Sequence, residues 1–134
     1  MSVTIIIVSY KSDSRIQKCL KNLGKKYKKI IIDTSKDMSL KTKVEKKFPK
    51  TKVILTSNNG YGAAMNYGVK KAKTKYVFMS TPDILLNNKT IKNLLSAAKK
   101  LNDNFAFLSP VTKTSKNKSF IEVGWPLFKK NNIP

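Results

Sequence analysis

The feature that most constrains the fold of this chain is a regular alternation of short apolar runs with segments of helical periodicity. Val3 to Val8 is a nearly continuous run of β-branched residues, which is typical of a strand buried on both faces of a parallel sheet. The next apolar residues recur at helical spacing until Gly24, a residue that favours the end of a helix. These residues are Ile16, Cys19, Leu20 and Leu23. This first segment therefore predicts a strand followed by an amphipathic helix.

The same alternation continues along the chain. Further strands are predicted at residues 30–32, 53–55, 76–79 and 105–108, and further helices at residues 40–48, 61–72 and 91–98. Strands that alternate with helices of this length form βαβ units, so we expect an α/β protein with three α/β/α layers and a mainly parallel sheet. After Pro110 the pattern fades: residues 112–119 indicate a polar loop, residues 120–123 one more strand, and residues 125–134 have no usable periodicity.

Composition excludes several classes of function. The 134 residues fit one domain, and the single cysteine excludes an internal disulfide framework. Because the chain has no histidine, it forms neither a histidine-dependent triad nor a histidine-ligated metal site. Its apolar runs are far shorter than the ~20 residues that span a bilayer, and the N-terminus lacks the basic flank of a signal peptide. We therefore expect a cytoplasmic protein.

The strong positive charge has two explanations at this stage. The chain has 28 lysine and arginine residues against 7 aspartate and glutamate residues, which gives a net charge of +21. An anionic partner such as nucleic acid, lipid headgroups or a phosphorylated small molecule accounts for such a balance. The lysines are spread from Lys11 to Lys130, however, so a biased coding composition accounts for it as well. The lysine-rich run at residues 25–29 is interpreted as a solvated turn.

Polar residues follow the predicted strands where a ligand would bind. In open α/β sheets, ligands bind beyond the carboxyl ends of the strands, here residues 9–10, 33–37, 57–60 and 81–83. Asp33 is either a turn residue that bonds nearby backbone amides or a carboxylate for a base or ribose. Asp83 is either a turn residue or a ligand for Mg²⁺ or Mn²⁺, which bind through one or two carboxylates together with substrate phosphates.

Residues 60–66 look superficially like the glycine-rich motif of dinucleotide-binding proteins. Met65 stands where the last glycine should allow close packing, and the motif follows the third strand instead of the first. A dinucleotide site is therefore not predicted.

Four motifs in register resemble the nucleotide-sugar half of an inverting glycosyltransferase of family 2. Residues 59–68 are similar to the family pattern N-x-G-[FY]-[GA]-x-A-x-N-x-G, and residues 76–83 to the apolar strand and acidic metal motif that follow it. Residues 3–10 are similar to the first strand with its exit, and residues 33–37 to D-N-x-S-x-D. The Pro-Asp form of the metal motif is most like the rhamnosyltransferase-type branch. The resemblance implies the GT-A fold, a Rossmann-like arrangement, with a nucleotide-sugar-binding domain at residues 1–110 and an incomplete continuation at residues 111–134.

Roles carry over from the family by position. The resemblance implies that Asp83 holds a divalent cation, Mn²⁺ or Mg²⁺, on the diphosphate of the donor, and that Asp33 recognises the imide of uracil or thymine. The other residues implied to bind the nucleotide sugar are Ser9, Tyr10, Ser35, Asn59, Gly60, Asn66 and Thr81.

The sequence departs from the family pattern in two places. Thr81 stands where the family usually has Asp or Asn, which leaves Asp83 as the only charged metal ligand. No general base is recognised, because the family's later acidic motif would lie past residue 134 and nothing around Glu122 resembles it. We therefore expect a truncated donor-binding part, for which a companion chain or a further segment supplies the base.

Three functional hypotheses follow. The first is transfer of a sugar from a UDP- or dTDP-sugar to a glycan or lipid-linked acceptor with inversion, in surface polysaccharide synthesis, with peripheral contact to the inner face of the membrane. The second is a catalytically silent nucleotide-sugar-binding protein. The third, a nucleic-acid-binding module, rests on charge alone and is disfavoured by the single arginine. An incomplete sheet would also favour self-association through an apolar edge.

Overall fold

The computed structural model describes residues 3–102, 104–113, 119–120 and 127–130. The four long strands and four helices lie in strict alternation in its first hundred residues. In chain order the elements are β1 Val3–Ser9, α1 Asp13–Leu23, β2 Lys28–Asp33, α2 Met38–Lys47, β3 Thr51–Leu55, α3 Tyr61–Lys71, β4 Tyr76–Ser80, α4 Asn88–Lys100, β5 Phe107–Leu108, β6 Thr112–Lys113, β7 Ser119–Phe120 and β8 Leu127–Lys129.

The main sheet has the strand order β3-β2-β1-β4-β8-β5. β1 pairs in parallel with β2 and β4, and β2 pairs in parallel with β3. The larger apolar cluster joins one face of the sheet to α1, α2 and α4, whereas the smaller cluster joins the other face to α3. The expectation of a three-layer, mainly parallel α/β domain is therefore confirmed.

The structure differs from the sequence prediction beyond α4. Residues 125–134 had no usable pattern, yet β8 is inserted between β4 and β5 and runs antiparallel to both. Within the predicted polar loop, Thr112–Lys113 pairs with Ser119–Phe120 as a two-stranded ladder, and the strand expected at residues 120–123 is described only at its first residue. Strands of two or three residues are too short to show a periodicity of their own. Their position is fixed by the strand with which they pair.

α3 lies very close to the sheet at one glycine. A Cβ atom built on Gly68 would lie 2.5 Å from Cγ2 of Ile6 and 3.2 Å from Cγ1 of Ile32. Only a residue without a side chain fits there, so Gly68 performs the close helix–strand packing that Met65 cannot. This contact fixes the position of α3 relative to β1 and β2.

The outer edge of β3 is closed by side chains of α2. Val53 accepts a hydrogen bond on its carbonyl oxygen from Nζ of Lys41 at 2.7 Å and donates its N–H to Oε1 of Glu45 at 2.9 Å. The same two side chains form an ion pair of 2.7 Å. An edge strand normally presents unpaired main-chain N–H and C=O groups. In β3, both main-chain groups of Val53 already have hydrogen-bond partners.

None of the helices among the described residues has the length and apolar character needed to cross a membrane.

Candidate functional site

The carboxyl ends of the parallel strands bring the predicted site residues to one edge of the sheet. Ser9 lies opposite Asp33 in the register of β1 and β2, and Ile7 lies opposite Ser80 in that of β1 and β4. The loops after these strands therefore start side by side, as the sequence predicts. Asp33 is completely buried at this edge, whereas Asp83 is exposed.

The Asp33 carboxylate is held by its own loop. One of its oxygens accepts a hydrogen bond from the backbone N–H of Asp37 at 2.7 Å, and the Ser35 hydroxyl lies 2.9 and 3.1 Å from the two oxygens. This is the geometry of a turn-forming aspartate. A base could reach the Asp33 carboxylate only if Ser35 turned away. The ligand role of Asp33 stays a prediction, and what the structure describes is a residue that orders the loop after β2.

Ser35 also connects this loop to the loop after β1. Its hydroxyl oxygen accepts a hydrogen bond from the backbone N–H of Lys11 at 3.2 Å, and Thr34 donates its N–H to the carbonyl oxygen of Ser9 at 2.9 Å. Lys11 and Lys36 both have left-handed backbones, with φ of 47° and 55°. Such backbones are costly for residues other than glycine. The backbone of Lys11 is held by its hydrogen bond to Ser35.

Ser9 carries a buried hydroxyl with no hydrogen-bond partner. Its side chain is 1% exposed, and the following residue, Tyr10, is 52% exposed. A buried polar atom without a partner is destabilising by about 1–3 kcal/mol, so a rearrangement or ligand that partnered it would be favoured. The predicted base pocket thus combines one unpartnered hydroxyl with an exposed aromatic ring.

The start of α3 forms the next part of the edge. Gly60 precedes the helix with φ 94° and ψ 158°, a conformation that essentially only glycine adopts. Its N–H donates to Oδ1 of Asn58 at 3.3 Å, and Asn59 and Asn66 are both exposed. The first N–H groups of a helix have no partner within the helix and lie at its positive end. This end of α3 therefore suits an anionic group.

Asp83 lies in the loop after β4, at the sheet edge where α3 starts. The Thr81 hydroxyl donates a hydrogen bond to one carboxylate oxygen of Asp83, and the other oxygen accepts none from the described residues. Burial, together with the negative charge of Asp83, raises the pKa of the Tyr61 phenol to about 12. Tyr61 is the first residue of α3, so the charge of Asp83 acts at the start of that helix.

The residues fit a divalent cation only if the ligand supplies most of the oxygens. No group of three or more aspartate, glutamate or cysteine side chains that could hold a metal is found in residues 3–102 or in the shorter described segments. Asp83 offers one exposed carboxylate with an oxygen that the described residues leave available, and Thr81 occupies the other oxygen. Mg²⁺ commonly binds in this way, through one or two carboxylates and substrate phosphates.

The structure therefore brings eight of the predicted residues to one edge, with Asn66 one turn further along α3. Sequence reasoning missed Lys11, whose backbone N–H connects the loops after β1 and β2. No side-chain pattern signals such a backbone role. It also missed the effect of the Asp83 charge on Tyr61, although the position of Tyr61 in the glycine-rich motif was a signal that could have identified it.

Comparison with known proteins identifies the family. The model of glycosyl transferase family 2 matches residues 4–132, so the chain belongs to that family. No curated protein sequence matches this chain significantly.

Several solved structures share the fold at low sequence identity. A mannosyltransferase from Pyrobaculum calidifontis, solved with GDP-Man and Mn²⁺, has a TM-score of 0.72 and 18% identity, over 95% of this chain and 44% of its own. S. aureus TarS 1-349 has a TM-score of 0.65 and 16% identity, over 97% of this chain and 47% of its own. A CMP:2-keto-3-deoxy-manno-octonic acid synthetase solved with CTP has a TM-score of 0.67 and 10% identity, over 98% of this chain and 76% of its own. The chain thus spans less than half of the first two structures.

Proposed function

We propose that this chain is the donor-binding part of a glycosyltransferase. Its reaction is the transfer of a sugar from a UDP- or dTDP-sugar to a glycan or lipid-linked acceptor, with inversion at the anomeric carbon. The observation that carries the proposal is the family match over residues 4–132, combined with an exposed Asp83 carboxylate at the same sheet edge as the start of α3. Structural neighbours solved with UDP-GlcNAc and GDP-Man support a nucleotide-sugar donor as a class.

The diphosphate of the donor would lie between Asp83 and the start of α3. The N–H groups there would donate to phosphate oxygens, because they have no partner within the helix. A divalent cation bound through Asp83 would neutralise the charge that develops on the departing nucleoside diphosphate. Thr81 would orient the Asp83 carboxylate through its hydrogen bond.

The base of the nucleotide would lie at the loops after β1 and β2. The exposed ring of Tyr10 would stack on it, and the unpartnered Ser9 hydroxyl would gain a hydrogen bond if the loop opened. Asp33 would accept the ring N–H of uracil or thymine only in exchange for its bond from Ser35. A preference for a pyrimidine with an imide therefore depends on movement of the Ser35 hydroxyl.

Residues for the acceptor half of the reaction are not assigned. Glu122 lies outside the described residues, and we propose that a companion chain or a further segment supplies the general base. General acid–base catalysis is worth roughly 10²–10⁴-fold in rate, so slow turnover by this chain alone is expected. We further propose the rhamnosyltransferase-like branch, a role in polysaccharide synthesis, and a cytoplasmic protein with peripheral membrane contact.

A catalytically silent nucleotide-sugar-binding protein is the second candidate. The single acidic ligand at Asp83 favours it, because one carboxylate holds a cation weakly when no donor is bound. Binding of a donor nucleotide with no sugar transfer to any acceptor, even after a partner chain was added, would distinguish this candidate from the enzyme.

Calorimetry with UDP, dTDP and GDP, each with and without Mn²⁺, tests the proposal. We expect Mn²⁺-dependent binding of a pyrimidine diphosphate that Asp83→Ala weakens at least about tenfold, in line with loss of a charged hydrogen-bonding partner. Asp13→Ala is the matched control, because it removes a carboxylate of the same charge from the start of α1. Equal binding by the wild type and both variants would overturn the proposed diphosphate site.

A further inference from the structure

The amino ends of β1, β2 and β3 border a groove at the sheet edge opposite the candidate donor site. The groove has a volume of about 710 Å³ and is lined by residues from the starts of these strands and from the end of α3. We call it the lysine groove, after its seven lysines: Lys26, Lys28, Lys29, Lys50, Lys52, Lys71 and Lys73. No aspartate or glutamate is among its lining residues.

One of these lysines is buried without a carboxylate. Lys29 is 2% exposed, and its ammonium group donates to the carbonyl oxygens of Gly24 and Tyr27, each at 2.8 Å. Among the described residues, no acidic side chain forms an ion pair with it. Burial, and to a lesser extent the charge of Lys50, lowers the pKa of Lys29. The sequence interpretation of residues 25–29 as a solvated turn was therefore wrong for Lys29, which is the second residue of β2 and its first buried one.

A second buried polar group lies beside it. Thr51 is opposite Lys29 in the register of β2 and β3, and its hydroxyl is buried with no hydrogen-bond partner. A threonine hydroxyl can donate to a phosphate oxygen, whereas the lysines around it supply positive charge. The lysine groove thus contains both charge and an unsatisfied donor.

Helix dipoles explain only part of this charge. Each of the four helices has lysine in its last turn, where a cation is favoured by the negative end of the helix. Lys28 and Lys52 lie at the starts of strands, so no helix end accounts for them, whereas Lys73 directly follows Ala72, the C-cap of α3. A further groove of about 520 Å³ shares Lys73 with the lysine groove and adds Lys75, Lys129 and Lys130 to its lining.

We propose that the lysine groove binds an anion that carries several phosphate groups. Lysine ammonium groups bind phosphate as point charges. A concave groove can surround a compact polyphosphate, whereas it fits a flat surface less well. This edge is distinct from the edge that carries Asp83, so the binding is independent of the donor site. A free polyphosphate offers several phosphate groups in one molecule, and a phospholipid surface offers them on adjacent headgroups.

Calorimetry with inorganic tripolyphosphate in EDTA tests the proposal on the whole chain. The groove variant carries Lys28→Gln, Lys52→Gln and Lys73→Gln, and the matched control carries Lys18→Gln, Lys89→Gln and Lys92→Gln. All six lysines are exposed, so both variants should fold, and both lose the same charge. We expect the groove variant to bind about tenfold more weakly, on the basis of three exposed ion pairs, and the control to change less than about threefold. UDP binding by the groove variant should equal that of the wild type.

Two further measurements identify the source of the phosphate and guard against a folding defect. Wild-type amide shifts at residues 28, 52 and 73 should move on addition of tripolyphosphate, whereas those at residues 18, 89 and 92 should not. Sedimentation with phosphatidylglycerol vesicles that requires the groove lysines assigns the phosphate to a lipid headgroup, and tripolyphosphate binding without sedimentation assigns it to a free anion. Equal weakening of tripolyphosphate binding in both variants, or the absence of saturable binding, would overturn the proposal. Binding of single-stranded DNA that tripolyphosphate does not displace would overturn it as well.

Discussion

The two ends of the parallel strands differ in almost every physical respect. The carboxyl edge carries Asp33 and Asp83, left-handed backbones at Lys11 and Lys36, and a buried hydroxyl without a partner. The amino edge carries the lysine groove, with no acidic lining residue. Asp33 and Asp83 therefore follow two strands of one sheet edge, and the lysines of the groove lie at the opposite edge.

α3 connects the two edges, so its packing should produce the largest effect. Gly68→Ala places a methyl group against Ile6 and Ile32, and overpacking of this kind destabilises by about 1–3 kcal/mol. Gly62→Ala is the control, because a Cβ there meets nothing within 4 Å and alanine favours helix. Urea unfolding should show a loss of stability for Gly68→Ala alone. Unchanged stability in that variant would show that α3 can shift to accommodate the methyl group. The packing at Gly68 would then not couple the two edges.

The next effect is confined to the carboxyl edge. Ser35→Ala removes the donor to Asp33 and the acceptor for the Lys11 N–H, and should lower the free energy of unfolding by about 1 kcal/mol. Ser39→Ala, an exposed serine in α2, serves as the control in the same denaturation experiment. Tripolyphosphate binding at the lysine groove should be the same in both variants. A change there would mean that the edges are coupled.

Cys19 reports on both edges at once. Burial raises the pKa of its thiol to about 11 from 9.0, the charge of Lys29 opposes this rise, and that of Asp83 adds to it. Asp83→Asn should therefore lower the pKa of Cys19, and Lys29→Met should raise it. NMR titration of ¹³C-labelled cysteine measures this directly, because the chain has a single cysteine. The same shift in both variants would contradict opposite charges at the two edges.

The raised pKa of Cys19 also gives stability a pH dependence. The unfolded thiol loses its proton near pH 9.0, whereas the folded thiol keeps it until about pH 11. The contribution is therefore fully present below pH 9 and is lost as the pH rises through this window. Urea unfolding at pH 8 and pH 10 should show lower stability at pH 10, and the difference should be smaller in Cys19→Ala.

The smallest expected effect concerns Tyr61. The charge of Asp83 contributes to its pKa of about 12, after burial, so Asp83→Asn should lower that pKa modestly. The difference in phenolate absorbance between each protein and its Tyr61→Phe counterpart isolates this one tyrosine. An unchanged titration would show that Asp83 is too far from the start of α3 for the proposed diphosphate site.

How much of this could be read from sequence depended on the length of each pattern. The strands β1 to β4 and all four helices were predicted, because each repeats its apolar spacing over several residues. β8 was not, since its three residues are placed by pairing with β4. The role of Asp33 was left open between a turn residue and a ligand, and the hydrogen bonds from Ser35 and from the N–H of Asp37, which composition does not reveal, favour the turn residue.

The lysine groove shows a second limit. In the sequence its lysines are spread over nearly fifty positions, which suggested no cluster. A parallel sheet brings the starts of successive strands together, so the starts of β2 and β3, which carry Lys28 and Lys52, lie side by side although they are distant along the chain. This rule was applied to the residues that follow each predicted strand, and it was not applied to the residues that precede each strand.

The hydrogen bonds that Lys41 and Glu45 form with the backbone of Val53 affect contacts with other molecules. An incoming strand that tried to add to β3 would meet main-chain groups that are already occupied, and would have to break an ion pair to displace them. Growth of the sheet by recruitment of foreign strands, the first step of fibril formation, is thus opposed at this margin. Lys41 and Glu45, which lie one turn apart on α2, therefore disfavour aggregation through the edge of β3.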